Sequence, residues 1–203
     1  MTDPAPRWPL PGAPALRDEL LAAYDEDGRR YHDLRHLGEV LDRLTELSAA
    51  GERFDPLTVT LAAWFHDGVH ERSDDDEARS AAWAKRALLD LGDGGPGAGV
   101  AAEVARLVLL TVDHRADAAD GDGAALCDAD LAILAAGRER YRAYAADVRA
   151  EWSHVPDADF ARGRSAVLRD LLDRPVLFAT SHARRYWERP ARANLAAELS
   201  ALA

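Results

Sequence analysis

His66 and Asp67 close the apolar run Leu61-Ala62-Ala63-Trp64-Phe65 and offer two metal-binding side chains from adjacent positions. A lone His-Asp pair is as a rule a surface feature or a helix end, but here further donors flank it. Upstream, the segment Tyr31-His32-Asp33-Leu34-Arg35-His36 spaces two histidines four residues apart, which predicts that they share one helical face. Downstream, Asp128-Ala129-Asp130-Leu131 opens or crosses another apolar helix. An Asp67 buried behind Trp64 and Phe65 without a partner would cost about 3–5 kcal/mol. An arginine or a cation would relieve that cost, and the imidazoles and carboxylates spaced around the pair favour the cation.

Asp128 and Asp130 cannot point the same way on a helix, since two residues turn about 200°. Asp130 falls on the side of Leu126, Ile133 and Leu134, which buries its carboxylate among apolar groups and demands a partner for it. It is therefore read as the ligand, and Asp128 as a cap or a supporting hydrogen-bond group.

The order His36, His66-Asp67, Asp130 resembles the HD superfamily of metal-dependent phosphohydrolases. The resemblance spans nearly the whole chain. It is carried by Tyr31 to His36, Trp64 to Asp67, the acidic stretch Asp74 to Ala81, Thr111 to His114, Asp128 to Leu134 and Glu188 to Leu195, and it is nearest to an uncharacterised branch of that superfamily. It implies a compact all-α, multi-helix domain. It also implies a divalent ion (Mn, Mg, Ni, Co, Zn or Fe) held by His36, His66, Asp67 and Asp130. Two positions depart from the pattern: Asp76 stands where asparagine is expected, and Asp113 where a lysine would precede His114. The second departure removes a cation that could meet a phosphate, so it bears on the substrate rather than on the metal.

Around those four positions, Asp67, His114, His32 and Glu77 are the candidates for catalysis. Asp67 would bridge two ions or steer the attacking water. His32, one turn before His36, would bind a second metal, orient water or contact phosphate, with a structural hydrogen bond as the equal alternative. His114 would donate to phosphoryl oxygens or simply complement a helix C-terminus. Glu77 and Lys85 lie one and two turns into the next helix, where a base or phosphate contact would stand, although a solvated face explains both. Glu188 and Arg192, one turn apart, read as a structural ion pair.

The elements that must position these residues are helical. The composition is rich in Ala, Leu and Arg, apolar residues recur at helical spacing, and no comparable strand pattern is present. At 203 residues with no shift of composition, one domain spanning 15–203 is expected behind an extended arm, 1–14, which holds five of the ten prolines. Asp55-Pro56 reads as a cap followed by proline at the first helical position, and Ser73 with Asp76 as a capping box. Residues 92–99 break the chain, and 117–123 read as a solvated acidic turn. Trp152 and the tyrosines at helical spacing read as core.

A net charge of −11 argues against general nucleic-acid binding, while leaving small anions to be met by a metal. The single Cys127, the lack of an export signal and charged residues in every apolar run predict a cytoplasmic protein without a membrane span. His-Glu-x-x-His, phosphate-loop and dinucleotide motifs are absent, and the acids around Cys127 disfavour a thiolate. The expected activity is hydrolysis of a phosphomonoester or phosphodiester, nucleotides among them, by metal-activated water. The rivals are a catalytically silent metal- and nucleotide-binding regulatory module and, further off, an iron-dependent oxygenase.

Overall fold

The computed structural model describes residues 3–117 and 119–202. Among them are ten α-helices and no strand: α1 Pro14–Tyr24, α2 Leu34–Ala49, α3 Pro56–Phe65, α4 Asp76–Asp90, α5 Ala98–Leu110, α6 Gly121–Leu131, α7 Arg138–Glu151, α8 Asp157–Asp173, α9 Ser181–Tyr186 and α10 Glu188–Ala201. The all-α expectation is met. No helix is long and apolar enough to cross a membrane among these residues.

The centre of the fold is α3. Its sequence is apolar all round, and Val59 and Leu61 to Phe65 are fully buried, so other helices must cover every side of it. It packs on α2, α4, α5 and α6, while α4 and α5 pair side by side. The start of α3 follows its sequence signal: the Asp55 carboxylate accepts from Thr58 N at 2.7 Å, and Pro56 occupies the first turn. Farther on, α10 lies across α8 and the 3-10 turn Ala132–Ala135. Its base is tied by Arg192 to Glu188 at 2.7 Å, and Glu188 in turn accepts the amides of Leu177 and Phe178.

Three expectations need correction. Residues 3–13 are not an extended arm. They form a 3-10 turn at Ala5–Arg7 and seat Trp8 edge-on against Trp64, with ring centroids 5.0 Å apart, because an indole buries more apolar surface than the prolines give up in helix propensity. The Ser73 box is half-formed: Ser73 N donates to Asp76 Oδ2, but the hydroxyl turns to Asp75. His32 does not share a helix with His36. Asp33 takes the N-cap, accepting from Arg35 N and His36 N, so His32 precedes the cap and lies two residues before α2.

Candidate metal centre

Four ligand atoms meet where α2, the end of α3 and α6 converge. His36 sits in the first turn of α2, held by the Asp33 cap, on the face that also carries Leu37, Val40, Leu41 and Leu44 into the core. His66 is the C-cap of α3, and Asp67 begins the turn beyond it. Asp130 comes from the last turn of α6.

His36 Nε2 and His66 Nε2 are 3.0 Å apart. Asp67 Oδ2 stands 3.2 Å from the first and 3.1 Å from the second, and Asp130 Oδ1 stands 3.2 Å and 3.6 Å from them. Neighbouring ligands of an ion bound at about 2.1 Å are roughly 3.0–3.4 Å apart. His36, His66 and Asp67 offer three atoms within 4.8 Å of one another and so could hold a divalent cation, with Asp130 approaching them from the side of the two histidines. The tautomer fits as well. His66 Nδ1 lies 2.7 Å from Ala63 O and donates to it, which leaves the Nε2 lone pair pointing into the cluster. Both imidazoles are almost wholly buried.

The charges respond to one another. Burial alone would lower the pKa of His36, but hydrogen bonds to Asp130 and Asp67 outweigh it and raise it to about 9. Burial alone would raise both carboxyls, yet the imidazoles of His66, His32 and His36 hold Asp67 well below the usual range, and those of His66, His114 and His36 do the same for Asp130.

A second layer fixes the first. His114 Nε2 bonds the other oxygen of Asp130 at 2.8 Å; the residue closes α5 in the left-handed region, φ 54°, with its amide on Leu110 O. The Tyr24 hydroxyl accepts the amide of Asp67 at 3.3 Å. Arg29, nearly buried, reaches Asp67 O at 2.6 Å, Gly68 O at 3.0 Å and His32 O at 3.1 Å. A Cβ on Gly68 would meet the Trp83 ring at 2.9 Å, so the turn carrying Asp67 has no room for a side chain there.

No protein-family model, curated protein or solved structure matches this chain.

Of the other expected site residues, His32 and His114 line one open cleft of about 760 Å³ together with Asp130, Arg115, Arg164 and Arg174. His32 Nδ1 is bonded to Glu151 Oε2 at 2.8 Å. Glu77 is not brought to the cluster: among the described residues no hydrogen bond or ion pair joins this half-buried side chain of α4 to the four ligands. Asp128 is a cap, accepting from Ala179 N at 2.8 Å and Thr180 N at 2.7 Å ahead of α9, and burial pushes its carboxyl up to about 6. Cys127 is buried, and that burial together with Asp130 and Asp128 drives its thiol well above the ordinary value.

Three residues at the site escaped the sequence reading: Arg29, His70 and Glu151. Arg29 and His70 lie in loops without periodicity. Glu151 did leave a signal, because it continues the stripe Tyr141, Tyr144, Val148 on the buried face of α7, where a carboxylate is out of place.

Proposed function

We propose that the protein is a divalent-metal-dependent phosphohydrolase acting on a small phosphorylated substrate, a phosphomonoester or phosphodiester, with nucleotides among the candidates. The observation that carries this reading is the convergence of His36, His66, Asp67 and Asp130, with nitrogen and oxygen atoms 3.0–3.6 Å apart beside an open cleft. The phosphate ester comes from the resemblance of these motifs to HD proteins. A cation held by the four residues would supply Lewis-acid charge and lower the pKa of water at neutral pH.

The chain's own groups do the rest. His114 gives its Nε2 proton to Asp130 and faces the cleft, which leaves Nδ1 to accept from substrate or water as a neutral imidazole and to donate to phosphoryl oxygens only as an imidazolium. His32 gives its Nδ1 proton to Glu151, which leaves Nε2 as the atom available to substrate or water. The cleft's arginines are already engaged: Arg164 with Glu198 and Tyr144, Arg174 and Arg115 with Asp170. In a chain of net charge −11 the attraction for a phosphate therefore rests chiefly on the cation. A cytoplasmic setting belongs to the same reading and rests on the single, buried cysteine.

The test is phosphate release by chelator-stripped protein across nucleotides and sugar phosphates, with each divalent metal restored in turn. Metal-dependent turnover lost in His66→Ala supports a hydrolase. Metal-loaded protein that turns over nothing, yet is stabilised by a nucleotide, would point to the silent regulatory module.

A further inference from the structure

The geometry points to a second cation site, independent of the first, built from His32, His70 and Glu151. Glu151, at the end of α7, has a fully buried side chain, and one of its oxygens is already spent: Oε1 accepts the amides of Arg30, Tyr31 and His32 at 2.8, 2.9 and 3.0 Å. That three-amide cradle fixes the carboxylate and turns Oε2 toward two imidazoles. His32 Nδ1 is 2.8 Å from Oε2, and His70 Nε2 is 3.5 Å from it. The three ligand atoms lie within 4.8 Å of one another. The rings of His32 and His70 are 4.2 Å apart at 33°, so both edges aim at one oxygen.

A second observation separates this cluster from an ordinary histidine–carboxylate pair. His70 Nε2 is buried and makes no well-formed hydrogen bond, its nearest acceptor being the shared Glu151 Oε2 at 3.5 Å. A buried imidazole nitrogen without a well-placed partner is unfavourable, and a bound ion would relieve it. Separations of 2.8 and 3.5 Å bracket those of neighbouring ligands on a cation at about 2.1 Å. Two imidazoles with one monodentate carboxylate suit Zn²⁺, Mn²⁺, Fe²⁺, Co²⁺ or Ni²⁺ better than Mg²⁺, which prefers oxygen. Without an ion His32 donates to Glu151; with one, Nδ1 becomes a ligand and its proton leaves to solvent. The site adjoins the first, since the His32 and His36 rings are 5.8 Å apart. His66 and His70, four residues apart, thus serve different ions.

The experiment is metal counting on full-length protein equilibrated with Zn²⁺ and passed through a desalting column, together with anomalous diffraction at the zinc edge. Two equivalents in the wild type, one in His70→Ala and one in His66→Ala, with an anomalous peak between His32, His70 and Glu151, are expected. A His70→Ala protein that holds as much zinc as the wild type, or wild-type crystals with no peak between those residues, would overturn the proposal; the wild-type map decides even if the variant fails to fold. Failure of the four-ligand site reads differently, as zinc unchanged in His66→Ala but reduced in His70→Ala.

Discussion

The Asp130 carboxylate is divided between two tasks, with Oδ1 3.2 Å from His36 Nε2 and Oδ2 2.8 Å from His114 Nε2. One oxygen faces His36 and His66, and the other is held by a histidine from the turn that follows α5. His114 therefore sets the angle at which Asp130 enters the cluster. His114→Ala should keep the fold and weaken metal affinity 10- to 100-fold, the usual cost of losing such a supporting group. Competition with a fluorescent chelator measures it, and an unchanged affinity would show that Asp130 needs no such support.

Asp128 and Asp130 should part company under the same conservative change. Asp130→Asn removes a ligand and should lose the ion of the four-residue site. Asp128→Asn should retain it and instead lower stability by roughly 1 kcal/mol, because one of the two oxygens that accept the amides of Ala179 and Thr180 becomes an NH2 donor. Metal content and urea denaturation of the two variants decide between the assignments.

The pH dependence of the metal-free protein follows from the shifted groups. The His36 pKa is raised to about 9, so its contribution is complete below the unfolded value of about 6.5 and is lost as pH rises through 9. Asp67 and Asp130 are depressed, so theirs is present above about pH 4 and lost as pH falls further. Metal-free protein should be most stable between about pH 4 and 6.5 and melt earlier toward pH 9. Cation binding requires the lone pairs of both His36 and His66, and the carboxylates hold both imidazoles above their ordinary pKa, so the site should release up to about two protons per ion near pH 7.5. Calorimetry of the His70→Ala protein in buffers of different ionisation enthalpy counts those protons, and zero release would contradict the assigned charge state.

Trp8→Ala should cost about 3 kcal/mol, as for a buried aromatic truncated in a core, since Trp8 packs on Trp64 in the central helix and donates Nε1 to Ala13 O at 3.1 Å. A loss under 1 kcal/mol in denaturant unfolding would restore the picture of a detached arm.

The helices were legible where an apolar stripe or a cap announced them, as in α2 with Leu37, Val40, Leu41 and Leu44 or α3 behind Asp55-Pro56. The six-residue α9 was too short for periodicity to register. At the site, His66 and Asp67 stand out at the end of the apolar run of α3 and Asp130 on the apolar side of α6, while His36 joins them only through the order of the motifs. His32 was misplaced by one residue of cap geometry, since Asp33 ends the helix that spacing alone would extend. Arg29 and His70 act from loops, where neighbours in space are set by the tertiary fold and local pattern says nothing.

The Arg29 guanidinium, joined to the carbonyls of His32, Asp67 and Gly68, ties the strand of chain that leads into α2 to the turn that leaves α3. The two segments that deliver His36 and Asp67 are therefore joined directly, while Asp130 comes from α6, more than sixty residues later in the chain. Without α6 the cluster would consist of two histidines and one carboxylate. An ion held by His36, His66, Asp67 and Asp130 would therefore bridge the joined α2 and α3 segments to α6, and its binding free energy would count toward holding α6 in place.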